Sequence, residues 1–246
     1  MKRLLMVIAL VIGMFWNILA WAAETLSYIP ENPEYALVMI HGYGQSGTKM
    51  KGMENQLKEA LPHTALYFPT APDNGPWGGY QWFVIPKIGM EMSDKALYDK
   101  MMKDALKNVK YLHNLIDEIH QIQGIPYENI SVAGFSQGGL MALLTGLTNS
   151  HNLHKVVSFS GVPLLLTRDF TRNKVVAEPQ ILIIQGDMDT VIPATSFQMT
   201  TETLKSLGIK SELEIIRGMS HEINAQALSY FKEFMVFEEE KRPPPA

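Results

Sequence analysis

Ile130-Ser131-Val132-Ala133-Gly134-Phe135-Ser136-Gln137-Gly138-Gly139 is the stretch on which the reading of this chain turns. Ile130 to Phe135 has the composition of a short strand, and Gly139 to Leu147 reads as a helix of small and apolar residues. Between them, Gly134 to Gly138 fits G-x-S-x-G, the sharp turn that presents a nucleophilic serine at the end of a sheet strand. Such a turn strains the serine backbone, and the flanking glycines leave room for close backbone approach and for a substrate. The helix that follows aims N–H groups and a positive dipole end at any oxyanion formed beside Ser136. Small residues around a serine are common, so it is the strand before and the helix after that give the five residues meaning.

The rest of the chain repeats the strand-then-helix pattern. Apolar runs at Tyr35–Ile40, Ala65–Phe68, Ile130–Phe135, Val156–Phe159, Ile181–Ile184 and Leu213–Ile216 suit strands buried on both faces of a parallel sheet. Helical stretches fall near Lys49–Leu61, Asp94–Gln123, Gly139–Leu147, Ser196–Leu207 and Glu222–Phe237. In the second, Leu106, Val109, Leu112, Ile116 and Ile119 share one face, and its lysines read as a solvated surface. Regular alternation implies an α/β class: a doubly wound, mostly parallel sheet with helices on both faces and right-handed crossovers.

At 246 residues the chain fits one such domain. With 21 basic against 25 acidic residues and no basic block, nucleic acid is not an expected partner. There is no cysteine, which excludes disulfides, a thiol nucleophile and Cys-ligated metal. Lys2 and Arg3 precede an almost wholly apolar run from Leu4 to Leu19, and Ala20-Trp21-Ala22 forms an A-x-A cleavage pattern with Ala23 as a second choice. Residues 1–23 are therefore expected to be a signal peptide, residues 24–237 the folded domain, and the acidic, proline-rich residues 238–246 a disordered tail. Export to the periplasm or beyond the cell follows, with no membrane span after cleavage. The apolar run is long enough for an uncleaved anchor to be the competing reading.

An activated serine needs a base to take its proton and an acid to hold that base. In an α/β sheet of this kind they follow the serine in the order acid, then histidine, on loops after later strands. Ile181–Ile184 runs into Gln185-Gly186-Asp187-Met188-Asp189-Thr190-Val191-Ile192-Pro193, and Leu213–Ile216 into Arg217-Gly218-Met219-Ser220-His221. Of the seven histidines, His221 has the right order and strand-end position. His41 also follows a strand but lies upstream of Ser136, beside glycines of a tight turn. His63, His113, His120, His151 and His154 read as solvated, and no metal site is expected. Asp187 and Asp189 compete as the acid, and each is also a plain turn former.

Taken together, Gly134 to Gly139, His41-Gly42-Tyr43-Gly44, Gly186 to Pro193 and Gly218-Met219-Ser220-His221-Glu222 resemble the carboxylesterase/phospholipase family of α/β-hydrolases, which includes the acyl-protein thioesterases. Pro69-Thr70-Ala71-Pro72 and Gln81-Trp82-Phe83 resemble the family's substrate-side loop. The resemblance spans about Tyr35 to Phe234. It implies Ser136 as nucleophile, His221 as general base and Asp189 as the orienting acid, with the backbone N–H groups of Tyr43 and Gln137 as oxyanion hole. It implies no cofactor. Tyr43, Gln45 and Gln185 depart from the residues usual in the family, which are Leu, Asp and often His.

The expected activity is hydrolysis of carboxylic esters or thioesters of small molecules or lipids. The expected acyl-binding surface is Tyr80, Trp82, Phe83 and Val162, with Trp77, Met90, Met92 and the run to Leu166 nearby; ordinary core packing is the competing reading for Trp82 and Leu164–Leu166. No insertion long enough for a large lid is visible, which favours short to medium acyl chains. Two other readings stay open: a non-catalytic scaffold that binds an acyl ligand or partner, and a serine peptidase.

Overall fold

The computed structural model describes residues 25–75, 78–85, 95–161, 175–206 and 208–236. The strands are β1 (Thr25–Tyr28), β2 (Tyr35–Ile40), β3 (Thr64–Pro69), β4 (Asp73–Asn74), β5 (Tyr80–Gln81), β6 (Ile130–Phe135), β7 (Lys155–Phe159), β8 (Gln180–Gly186) and β9 (Ser211–Ile216). The helices are α1 (Gly47–Lys51), α2 (Glu54–Ala60), α3 (Lys95–Gln123), α4 (Gln137–Thr148), α5 (Thr195–Ser206) and α6 (Ala225–Val236). β4 and β5 pair with each other as a small hairpin. The other seven form one sheet in the order β1-β3-β2-β6-β7-β8-β9. Only β1 runs antiparallel to its neighbour.

β2 shows why the sheet divides the molecule. All six of its residues are buried, and successive side chains enter different cores: Ala36, Val38 and Ile40 one, Leu37 and Met39 the other. That is the two-residue period of a strand with apolar matter on both faces. The first core is closed by α3, α4 and α5 through residues such as Leu112, Ile116, Leu144 and Phe197. The second is closed by α1, α2 and α6 through Met50, Leu57, Phe231 and Met235.

Strand order also locates the chemistry. From β2 the chain moves outward to β3 on one side, then returns to β6 on the other side of β2. Where the order reverses, the connections leave a crevice at the carboxyl ends of the two strands, which is where open α/β sheets bind ligands. Ser136 follows β6 and His41 follows β2, so both stand at the strand ends that border that crevice.

Three expectations need correction. The helix read at 49–61 is two helices, because the chain breaks at Gly52 and Met53. β9 is not buried on both faces: it is the sheet's edge, and Ile215 is 45% exposed. Its alternating Glu212 and Glu214 are the cue to an edge strand. β1 adds a strand to those read from the sequence, since Thr25-Leu26-Ser27-Tyr28 is half polar and only its pairing with β3 makes it one. The expected signal peptide and the tail at 238–246 lie outside the described residues. No helix among the described residues is long and apolar enough to cross a membrane.

Lys155 opens β7 almost fully buried, and its ammonium donates to the carbonyls of Phe234 (2.6 Å) and Met235 (3.0 Å) at the end of α6. A cation there gives these carbonyls a charged donor and meets the negative end of the helix dipole. Lys155→Met is expected to cost about 2–3 kcal/mol by removing two charge-assisted hydrogen bonds from a buried site, read from urea unfolding. A loss below about 0.5 kcal/mol would show that this contact does not hold α6.

Candidate active site

Ser136 leaves the sheet at φ 54 and ψ −116, a conformation in which a side chain is rarely found. Its surroundings fix it there. Its N–H donates to the carbonyl of Phe159 on β7 (2.8 Å), and its own carbonyl accepts from Gly139 (2.9 Å) and Leu140 (3.3 Å) at the start of α4. Gly138 lets that helix press against the loop after β2: a Cβ there would lie 2.3 Å from the Ile40 carbonyl oxygen and 2.5 Å from that of His41. The result is a half-buried serine hydroxyl above the strand ends.

Two loops bring the partners. Ser136 Oγ lies 2.9 Å from His221 Nε2, and His221 Nδ1 lies 2.8 Å from Asp189 Oδ2. The His221 ring packs on Phe135 with centroids 4.8 Å apart, which fixes its plane. Asp189 is buried, and its two oxygens have separate duties. Oδ1 accepts the N–H groups of Val191 (2.9 Å) and Ile192 (2.8 Å), while Oδ2 faces His221 and accepts from Gln185 Nε2 (3.0 Å). Both sequence readings of this residue, turn former and partner to a histidine, describe the one carboxylate. Burial works against its charge. The Ile192 N–H, then the His221 and Gln185 hydrogen bonds, more than offset that and hold the carboxyl below its ordinary pKa. Asp187, its rival, is exposed and accepts the Gly218 N–H (2.6 Å) instead.

His41, the other strand-end histidine, is fully enclosed and turned away from the serine. Its Nδ1 hydrogen-bonds the Gly42 carbonyl (2.7 Å), and its Nε2 accepts the Ala71 N–H (2.9 Å). One ring nitrogen that donates and one that accepts describe a neutral imidazole. Burial lowers its pKa to about 4, against the opposing pull of the Gly42 carbonyl. This is a structural histidine that joins the loop after β2 to the loop after β3.

The remaining sequence-named residues divide. Tyr43 is half-buried on the loop after β2, and Gln137, the first residue of α4, follows Ser136 directly. Tyr80 is 37% exposed and pairs with the Tyr43 loop, its carbonyl accepting the Gly44 N–H (2.9 Å). Trp82 and Phe83, expected to line the acyl surface, are instead enclosed in the core. The Trp82 ring packs on His41 and Tyr111, so its apolar area lies under the site and not in it. Val162, Trp77, Met90, Met92 and Leu164–Leu166 lie outside the described residues, as do the segments where a lid would be sought. The solvated reading of His113, His120 and His154 is also corrected: each is half-buried, His113 on the Thr145 carbonyl and His120 on that of Ile125. Among the described residues no cluster of His, Asp and Glu is suited to a metal ion.

Sequence reading missed Asn108, whose Nδ2 donates to the Trp82 carbonyl (2.6 Å), and the side-chain role of Gln137. A cue existed for the first. Asn108 is a polar residue on the buried stripe of α3, three positions after Ala105 and four before Leu112. Gln137 offered none, because its side-chain partners are about 55 positions away along the chain.

A serine bonded to an imidazole, itself bonded to a buried carboxylate, is an arrangement able to transfer an acyl group. The comparisons point the same way. Residues 29–237 match the Phospholipase/Carboxylesterase family. The chain is 30% identical over 205 residues to acyl-protein thioesterase 1 of Eremothecium gossypii, covering 79% of this chain and 84% of that protein. It is 25% identical over 206 residues to carboxylesterase SOBER1 of Arabidopsis thaliana, covering 81% and 88%. Among solved structures, esterase PE8 superimposes with a TM-score of 0.78 at 24% identity, covering 86% of this chain and 97% of that one. Arabidopsis SOBER1 gives 0.72 at 24% identity, with 83% and 99% covered.

The lowered pKa of His41 has a consequence for stability. Between pH 6.5 and about 4 the unfolded chain binds a proton at this position that the folded chain refuses, so stability rises with pH across that window. Acidifying through it is expected to remove up to about 3 kcal/mol on this account. Nitrogen-15 NMR of the imidazoles should find His41 neutral, with the proton on Nδ1, at pH 5.5. Titration of His41 near pH 6.5 would contradict the assignment.

Proposed function

Because the chain belongs to the phospholipase/carboxylesterase family of α/β-hydrolases and is a hydrolase of carboxylic esters or thioesters, we propose that it works by two-step acyl transfer through Ser136, His221 and Asp189. The observation that carries this reading is the continuous chain of contacts from Ser136 Oγ through His221 to Asp189, at 2.9 and 2.8 Å. His221 Nε2 takes the hydroxyl proton as Oγ attacks the acyl carbonyl carbon. The carbonyl π pair moves to oxygen, and the backbone N–H groups of Tyr43 and Gln137 bind that oxyanion. Collapse breaks the bond to the leaving alcohol or thiol, which departs with the proton from His221. Water then repeats the sequence on the acyl-enzyme and regenerates Ser136.

Asp189 stabilises the imidazolium formed in each step and keeps the Nδ1 proton in place, without being protonated itself. The hydrogen bonds that hold its carboxyl below the usual carboxylate range favour the charged form.

We assign an acyl group of short to medium length as substrate. Tyr80, 37% exposed beside the oxyanion loop, with Met188 and Val191, 63% and 60% exposed on either side of Asp189, gives the site an apolar but open margin. A site of that kind accepts a short chain or the exposed part of a longer one. Lys2, Arg3, the apolar run to Leu19 and the A-x-A at Ala20 to Ala22 support export with cleavage before Ala23 or Glu24. The mass of the protein recovered from an exporting host tests this, and a mass that includes Met1 to Ala22 would contradict it.

Two variants test the mechanism on a panel of p-nitrophenyl esters and acyl thioesters. Ser136→Ala is expected to lower kcat by at least about 10,000-fold, and Asp189→Asn by a similar factor through the wrong imidazole tautomer. If either variant retained a tenth of wild-type turnover, that residue would not have the role proposed for it.

A further inference from the structure

The two oxyanion donors stand on separate elements, Tyr43 on the loop after β2 and Gln137 at the start of α4. The β2–β6 ladder ends at the Ile40–Gly134 pair, three residues before each donor, so the ladder alone does not hold them to the few tenths of an ångström that oxyanion binding needs, since donors work only when about 2.7–3.1 Å from the developing charge. Resting on the acyl-transfer reading, we propose that Trp82 and the Gln137 carboxamide are positioning residues, which lock the two halves of the oxyanion hole together through the strap Gly79 to Phe83.

The strap grips the Tyr43 loop on both sides of that residue. On the near side, the Trp82 Nε1–H donates to the His41 carbonyl (2.9 Å). On the far side, the Tyr80 carbonyl accepts the Gly44 N–H (2.9 Å), and the Tyr80 N–H donates to the Gln45 carbonyl (3.1 Å). Gln45 closes its own turn, Oε1 accepting the Gly42 N–H (3.1 Å). At its other end the strap is held by Gln137. The side-chain Oε1 accepts the Trp82 N–H (2.8 Å), and Nε2 donates to the Phe83 carbonyl (2.7 Å). One residue thus supplies an oxyanion donor from its backbone and fixes the position of the other donor from its side chain. Asn108 completes the anchorage by donating to the Trp82 carbonyl (2.6 Å).

Three observations separate this from ordinary packing. His41, Trp82, Gln137 and Asn108 are all buried, so their hydrogen bonds lack water as a substitute and are costly to lose. Every bond of the strap to the oxyanion loop ends on a backbone atom within two residues of Tyr43. Finally, Gly79 sits at φ 64 with no room for a side chain: a Cβ there would fall 2.1 Å from the Gly44 carbonyl oxygen. Strap and loop touch at a distance that only glycine permits.

Because the oxyanion charge exists only in the transition state, loosening this circuit should lower kcat while leaving substrate binding almost unchanged. Three variants test it: Trp82→Phe, which keeps an aromatic ring and removes the N–H; Gln137→Met, which keeps the length of the side chain; and Gly79→Ala, on the exposed side of the strap. Each is measured for kcat and KM on a short p-nitrophenyl ester, for the Ki of a trifluoromethyl ketone that forms a reversible tetrahedral adduct, and for its urea midpoint. The expected result is a kcat lower by about 10- to 100-fold with KM within about two-fold and the ketone Ki raised in step. Gly79→Ala, at positive φ and against the Gly44 carbonyl, should also lower the urea midpoint, yet in buffer without urea its kcat loss should persist with the ketone Ki raised in step. Variants that keep wild-type kcat, or that lose kcat with an unchanged ketone Ki, would overturn the proposal. A wild-type protein that neither hydrolyses the ester nor binds the ketone would overturn the acyl-transfer reading itself.

Discussion

Ser136 holds φ 54 because β7, the first turn of α4 and the packing of α4 on the end of β2 fix its backbone, and the rest of the site is built around that constraint. A side chain in such a region costs on the order of 1–3 kcal/mol. Here the Phe159 carbonyl takes its N–H, the first turn of α4 takes its carbonyl, and α4 is pressed against Ile40 and His41 through Gly138. The strain turns the hydroxyl out of the strand direction and toward the crevice between β6 and its neighbours. It also sets the N-terminus of a helix buried from Gln137 to Leu147 beside that hydroxyl. The loop after β2 therefore has a fixed surface to close against.

The same type of side chain serves two opposite ends at neighbouring strand ends. His41 gives both ring nitrogens to the backbone, is sealed from water and stays neutral. His221 gives one nitrogen to a carboxylate and the other to a hydroxyl, with part of its ring in reach of solvent. Position after a strand does not separate them. The partners do, since an imidazole can shuttle a proton only where one nitrogen faces a group that gives and takes one. Asp189 shows the complementary case, a buried acid kept charged because four hydrogen bonds point at it.

Much of this was legible in the sequence, and the limits are physical. β2 and β6 could be bounded to the residue because strands with apolar matter on both faces read as unbroken apolar runs. β1 and β9 carry edge-strand composition, half polar or alternating, and their identity depends on a neighbour far along the chain. The order Ser136, acid, His221 pointed to three loops, and the contact between Asp189 and His221 then separates Asp189 from Asp187. Trp82 misled because an aromatic residue near a site suits a substrate wall and a core anchor equally. Its indole N–H, bonded to the His41 carbonyl, is what assigns it to the core. For the partners of Gln137 and Asn108 no local pattern could have sufficed, since each side chain acts on a segment tens of residues away.

Membership of the phospholipase/carboxylesterase family makes the chain an esterase, and the geometry explains how a serine in an otherwise ordinary sheet would become a nucleophile. The measurement that tests this most directly is the intact mass of the purified protein before and after exposure to a fluorophosphonate, followed by peptide mapping of the adduct. A single addition per chain, located on Ser136, is the expected result. A folded protein that gains no mass, or gains it on another residue, would contradict it.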